Sequence, residues 1–178
     1  IVPSFVGDGK TLKALINDSK MAALNYELLE EDEPAKVLKR ALAVVRDGGD
    51  DILMQGGVPA GEFLDALRDK EDGLVPKGGI VSFVSIFPLL KREKLILVTD
   101  TLINNHPTLV EKQQILNNAL KLAASLGFET PKTAVLAAIE QVNPGIPSTL
   151  DAAILSKMGE RRQFGKAVVE GPLDIDCA

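Results

Sequence analysis

Strand-like and helix-like runs alternate along almost the whole of this 178-residue chain, and that alternation constrains the fold more than any single motif. Short, mainly apolar runs stand at Val2–Val6, Asp51–Gln55, Ile80–Phe87, Lys94–Thr99, Thr133–Ile139 and Lys166–Val169. Between them, Lys10–Asn17, Pro34–Arg46, Gly61–Lys70, Leu109–Leu126 and Thr149–Arg161 carry apolar residues at helical spacing. Val37, Leu38, Ala41, Leu42 and Val45, for example, fall on one face of a helix. Parallel strands need a crossover long enough to hold a helix, so this order predicts an α/β fold with mostly parallel sheets. The continuously apolar "TAVLAAI" predicts a strand covered on both faces. One pair departs from the pattern: Ile80–Phe87 and Lys94–Thr99, joined by "PLLKRE", predict a hairpin. The acidic stretch in "ELLEEDEPAKVLKR" reads as a solvated loop running into a helix. The Gly/Pro-rich Glu71–Gly79 predicts a lobe boundary, with residues 1–77 in a first α/β lobe and 78–178 in a second.

Composition narrows the function classes. Apolar residues make up 46% of the chain, enough for a packed core. A net charge of -5 argues against a nucleic-acid surface, which needs clustered Lys and Arg. No apolar run approaches the roughly 20 residues of a membrane-spanning helix. The single cysteine, Cys177, excludes an internal disulfide and fits a reducing compartment. The expectation is a cytoplasmic protein with neither nucleic-acid nor membrane partners.

Ligands in open α/β sheets sit beyond the carboxyl ends of strands, where helix N-termini present free N–H groups. Four loops qualify: "QGGVPAG", "DTLINNHPT", "EQVNPGIPST" and "EGPLDID". In the second, Asp100 ends an apolar strand, and its carboxylate can turn the chain, hold a loop amide or contact a ligand. "GDGKT" at Gly7–Thr11 lacks the first glycine of a phosphate loop and reads as a strand-to-helix turn. His106 is the sole histidine, which excludes a multi-histidine metal site; beside Pro107 it reads more readily as a loop residue than as a catalytic base. Thr108 can cap the helix that follows. Ser148 and Asp151 have capping-box spacing, which suits a plain helix cap as well as a substrate contact. Cys177 has no sequence neighbour to activate it and reads as a structural thiol. Residue chemistry thus predicts a two-lobed α/β protein with a cleft, and no reaction.

Taken together, "DILMQGGVPAGEFLDAL", "VTDTLINNHPTLVEKQQILNNAL", "AVLAAIEQVNPGIPSTLDAAILSKM" and "AVVEGPLDID" resemble the phosphotransacylases. This is the phosphate acetyl/butyryltransferase family, and the chain looks closest to its butyryl-type members. The resemblance runs through essentially the entire chain in order. It implies a three-layer αβα architecture in two lobes, like isocitrate and isopropylmalate dehydrogenases. It also implies reversible transfer of a short or branched acyl group between coenzyme A and inorganic phosphate, with phosphate attacking the thioester carbonyl. Coenzyme A would be a substrate, with no covalently bound cofactor and no metal, in a homodimer or higher homo-oligomer. Gln55, Gly56, Gly57, Asp100, Asn104, Asn105, Asn143, Ser148 and Thr149 would bind substrate, with Asp100, Asn104 and Asn105 lining the cleft.

The chain departs from the family pattern at Gln55, Pro59, Ala60, Asp65 and Phe83, where a lysine, Ser/Thr, an arginine and a histidine are usual. Each change removes a cation or a donor, which keeps open a non-catalytic acyl-CoA- or phosphate-binding relative as well as a phosphate acetyltransferase. Lys77 is one alternative cation. The family's serine-arginine-acidic catalytic motif lies in a later segment, so no catalytic residue is named here. The start on a strand and the stop after "GPLDIDCA" give the further expectation that the unit is incomplete at its C-terminus.

Overall fold

The computed structural model describes residues 2–19, 25–89 and 94–177, and they divide into two compact units, Ile1–Val81 and Ser82–Ala178. The protein is mixed α/β, and among the described residues it has three two-stranded sheets, two parallel and one antiparallel. None of the described helices is long and apolar enough to cross a membrane.

The first unit opens with a βαβ element: β1 (Ser4–Gly7), α1 (Gly9–Asp18) and β2 (Glu27–Glu30), with the strands parallel. "GDGKT" is the turn between β1 and α1, as its sequence predicts. Asp8 caps the helix by accepting from the Thr11 N–H at 2.8 Å. A Cβ on Gly9 would stand 2.5 Å from the Glu30 carboxyl carbon, so a larger residue there would push that flexible side chain aside. That carboxylate also accepts from Lys13 at 2.5 Å, joining α1 to the end of β2.

Beyond β2, Pro34 begins α2 (Pro34–Arg46), where its missing N–H costs nothing. Leu42 of this helix is the deepest side chain among the described residues of the unit. After α3 (Ala60–Leu67), Asp72 pairs with Lys39 and Arg46, and the segment beyond α3 is drawn back onto α2.

Two expectations fail in this unit. The run Asp51–Gln55 is not a strand, and Ile52 and Met54 are 80% and 88% exposed. Apolar character does not make a strand without a neighbour to supply hydrogen bonds, and among the described residues none pairs with it. Conversely, Glu27–Glu30 lies within the stretch read as an acidic loop, yet forms β2. Pairing with β1 places Leu28 and Leu29 half-buried between exposed glutamates.

The second unit begins with the predicted hairpin. Strand β3 (Val84–Leu89) pairs antiparallel with β4 (Lys94–Thr99), Val84 opposite Thr99 and Leu89 opposite Lys94. Residues 90–93 of the connecting "PLLKRE" lie outside the described residues. Next come α4 (Leu109–Ser125), β5 (Lys132–Leu136), α5 (Pro147–Glu160) and β6 (Val168–Leu173), with β6 parallel to β5.

The core of this unit is Leu116 from α4, Leu155 from α5, Phe164, Ala167 and Val169, with Leu109, Leu120, Val135 and Met158 around it. Helix α5 lies close on β6 because glycines leave room. A Cβ on Gly159 would sit 2.8 Å from the Val169 Cβ of β6, while one on Gly171 would sit 2.8 Å from the Val135 carbonyl oxygen of the neighbouring strand β5. Strand β5 is shorter than Thr133–Ile139 and only half-buried, so the reading of "TAVLAAI" as covered on both faces is corrected. Strand β6 runs through Leu173, so "EGPL" is strand and the loop starts at Asp174.

Candidate functional site

The polar residues of "DTLINNHPT" belong to a loop that Asp100 organises. Its Oδ1 accepts from the N–H groups of Leu102 and Ile103, each at 2.9 Å. Its Oδ2 accepts from the Phe83 N–H at 3.0 Å and from Asn104 Nδ2 at 2.7 Å. A carboxylate offers about four lone-pair sites, and these four donors use them. Of the three uses the sequence leaves open for Asp100, turning the chain and holding a loop amide are therefore both realised. Partial burial acts to raise the Asp100 pKa. The N–H groups of Leu102, Ile103 and Phe83 and the Asn104 amide outweigh it and leave the carboxyl below its ordinary value.

Beyond that loop, Thr108 caps α4 in a full capping box. Its hydroxyl accepts from the Glu111 N–H at 3.4 Å, and the Glu111 carboxylate accepts from the Thr108 N–H at 2.7 Å. Asn105 and His106 stand exposed on the loop between Asp100 and this cap.

The loop after β5 is held differently. Thr149 is fully buried. Its hydroxyl accepts from the Asn143 N–H at 2.9 Å and lies 2.8 Å from the Ile146 carbonyl and 3.0 Å from that of Asn143. Asn143 Oδ1 in turn accepts from the Gly145 N–H at 2.8 Å, and the loop closes on itself. The capping-box reading of Ser148 with Asp151 is corrected. Pro147 already lies in the first turn, Ile146 is the N-cap without a side-chain cap, and Asp151 bonds elsewhere. Its partner is Lys112, whose Nζ lies 2.6 Å from Asp151 Oδ2 across 39 residues of sequence. This pair joins the first turn of α4, entered from the loop after β4, to the second turn of α5, entered from the loop after β5.

Glu140, Asp174 and Cys177 form a further cluster, with one ligand-type atom from each within 4.8 Å of the others. Hydrogen bonds to Glu140 and Asp174, and their charges, push the Cys177 thiol up to about 11. Protonated at neutral pH, it is a weak nucleophile and a weak metal ligand. Cys177 is exposed, and its raised pKa agrees with the reading of a thiol that nothing activates. In the first unit, Gln55 Nε2 donates to the Val58 carbonyl at 2.7 Å and closes its loop, while Gly56, Gly57 and Asp65 are exposed.

Two pairings thus emerge among the candidate residues: Asp100 with Asn104, and Asn143 with Thr149. Gln55, Gly56 and Gly57 form a separate loop, and Asn105 and Ser148 enter neither pairing. The Lys112–Asp151 pair and the Glu140–Asp174–Cys177 cluster went unread in the sequence, because long separations hide such contacts. A lysine in the first turn of a helix, against the usual charge preference, was the available signal for the former.

A family model described as phosphate acetyl/butaryl transferase matches residues 9–178. Phosphate butyryltransferase of Clostridium acetobutylicum is 39% identical over 173 residues, which are 97% of this chain and 57% of that protein. A probable phosphate butyryltransferase of Bacillus subtilis is 37% identical over 172 residues, 97% of this chain and 56% of its own length. The chain therefore spans little more than half the length of these relatives. The crystal structure of a branched-chain phosphotransacylase from Enterococcus faecalis superposes with a TM-score of 0.75 at 24% identity. It covers 99% of this chain and 70% of that one, and it shows a shared fold. The chain belongs to the phosphate acetyl/butaryl transferase family.

Proposed function

We propose that this chain is part of a phosphate acyltransferase of the butyryl type. The whole protein would move a short or branched acyl group reversibly between coenzyme A and inorganic phosphate. The observation that carries this reading is the 39% identity to a protein named phosphate butyryltransferase, sustained over 97% of the chain. Two organised loops, each running from a strand end into a helix N-terminus, support it. Such ends favour anions and suit a reaction between two phosphate-bearing substrates.

In the forming direction, a phosphate oxygen attacks the thioester carbonyl, an oxyanion develops, and the coenzyme A thiolate leaves. Chemistry of this kind asks the protein mainly for positioning and for donors aimed at the developing charge. The candidate substrate contacts are Gln55, Gly56, Gly57, Asn104, Asn105, Asn143 and Ser148. Asp100 and Thr149 act by fixing their loops. The proposal extends to a cytoplasmic homo-oligomer with the layered αβα architecture of isocitrate and isopropylmalate dehydrogenases.

An assay of coenzyme A release tests the reading, with the full-length protein, phosphate, and acetyl-, butyryl- or isobutyryl-CoA. Phosphate-dependent release, fastest with the four-carbon thioesters, is expected. Preference for acetyl-CoA would make the protein a phosphate acetyltransferase, and no turnover on any thioester would leave only a binding relative.

A further inference from the structure

Lys112 occupies a costly position. It lies in the first turn of α4, where the helix dipole disfavours a cation, and its side chain is only 28% exposed. Neither local helix chemistry nor solvation accounts for a lysine there. What holds it is the Asp151 carboxylate, 2.6 Å away and itself 23% exposed, on α5. Asp151 is the ammonium's one recorded partner among the described residues, and an ammonium has three N–H donors. A helical side chain leans toward its N-terminus, so Lys112 leans toward the loop that begins at Asp100. Ser148 stands three residues before Asp151 and shares its helix face, one turn nearer the opposite loop.

We infer that Lys112, aimed by Asp151 and accompanied by the Ser148 hydroxyl, is an anion contact for a phosphate group. The ligand chemistry is a phosphate oxyanion, either inorganic phosphate or a phosphate of coenzyme A. Lys112 acts as the binding cation, and Asp151 is a positioning residue. The N-terminus of α4, one turn from Lys112, offsets part of the charge that Asp151 neutralises. The identity of the ligand, though not the presence of the site, rests on the acyltransferase reading.

The test uses full-length protein. Replacing the pair together, Lys112→Met with Asp151→Leu, removes the cation without stranding a buried carboxylate, a change that folded proteins commonly tolerate. Loss of one charge-assisted hydrogen bond predicts a KM raised about tenfold for one substrate, with kcat changed by less than about threefold. A rise for phosphate assigns Lys112 to inorganic phosphate, and a rise for the acyl-CoA assigns it to coenzyme A. Lys112→Arg, with Asp151 retained, should keep both KM values within about threefold of the parent. Unchanged KM values for both substrates in the double variant would overturn the inference. If the parent protein shows no turnover, the acyltransferase reading fails separately. Calorimetric titration with phosphate, and with coenzyme A, then compares parent and double variant. Binding that weakens about tenfold supports the inference, whereas equal binding or none to the parent refutes it.

Discussion

At the scale of single residues, Asp100 does the most organising. Four donors from two segments converge on its carboxylate and hold it below its ordinary pKa despite partial burial. A carboxyl depressed in the folded state stabilises above its unfolded pKa, near 4, and that contribution disappears as pH falls through the lower folded value. The unfolded chain binds more protons in that window, so stability rises with pH across it. Asp100→Asn should therefore lower stability at neutral pH and flatten the acid limb of the stability profile below about pH 4. Urea unfolding midpoints across pH 2–7 measure this, and an unaltered acid limb in the variant would deny Asp100 its role. The sequence showed that this residue had polar work to do at a strand end. It could not show that Phe83, 17 residues earlier, supplies one of the donors. Thr149 was harder still: it resembles a capping residue, yet it is fully buried and ties α5 to Asn143.

Among elements, legibility followed whatever is local. The periodicity of the helices, the α4 cap at Thr108 and the β3–β4 hairpin rest on near neighbours in sequence, and all three formed. β2 and Asp51–Gln55 were misread because a strand is defined by its partner rather than its own composition. The seat of α5 on β6 is likewise non-local, and it makes glycines informative. A Cβ at Gly159 would meet Val169 at 2.8 Å, and one at Gly171 would meet the Val135 backbone at the same distance. Gly159→Ala and Gly171→Ala should each destabilise by about 1–3 kcal/mol through overpacking. Gly61, in α3 with open space around its Cα, is the contrast. Gly61→Ala should stabilise by about 0.5–1 kcal/mol, the ordinary helix preference. Chemical denaturation of the three variants checks the signs, and a stabilised Gly159→Ala would show that α5 and β6 are less closely seated.

For the molecule as a whole, family membership and the α/β class were legible because motif-bearing loops recur in order along nearly the full chain. Substrate contacts were less so, since each depends on residues brought together by folding. Asp151, suggested by its spacing as a helix cap, pairs instead with Lys112 on another helix. The central claim concerns chemistry that runs in both directions, so the direct measurement starts from the other side. Full-length protein is mixed with butyryl phosphate and coenzyme A, and thioester formation and phosphate release are followed together. The account predicts equal amounts of butyryl-CoA and phosphate. Phosphate released without thioester, or no reaction at all, would contradict it.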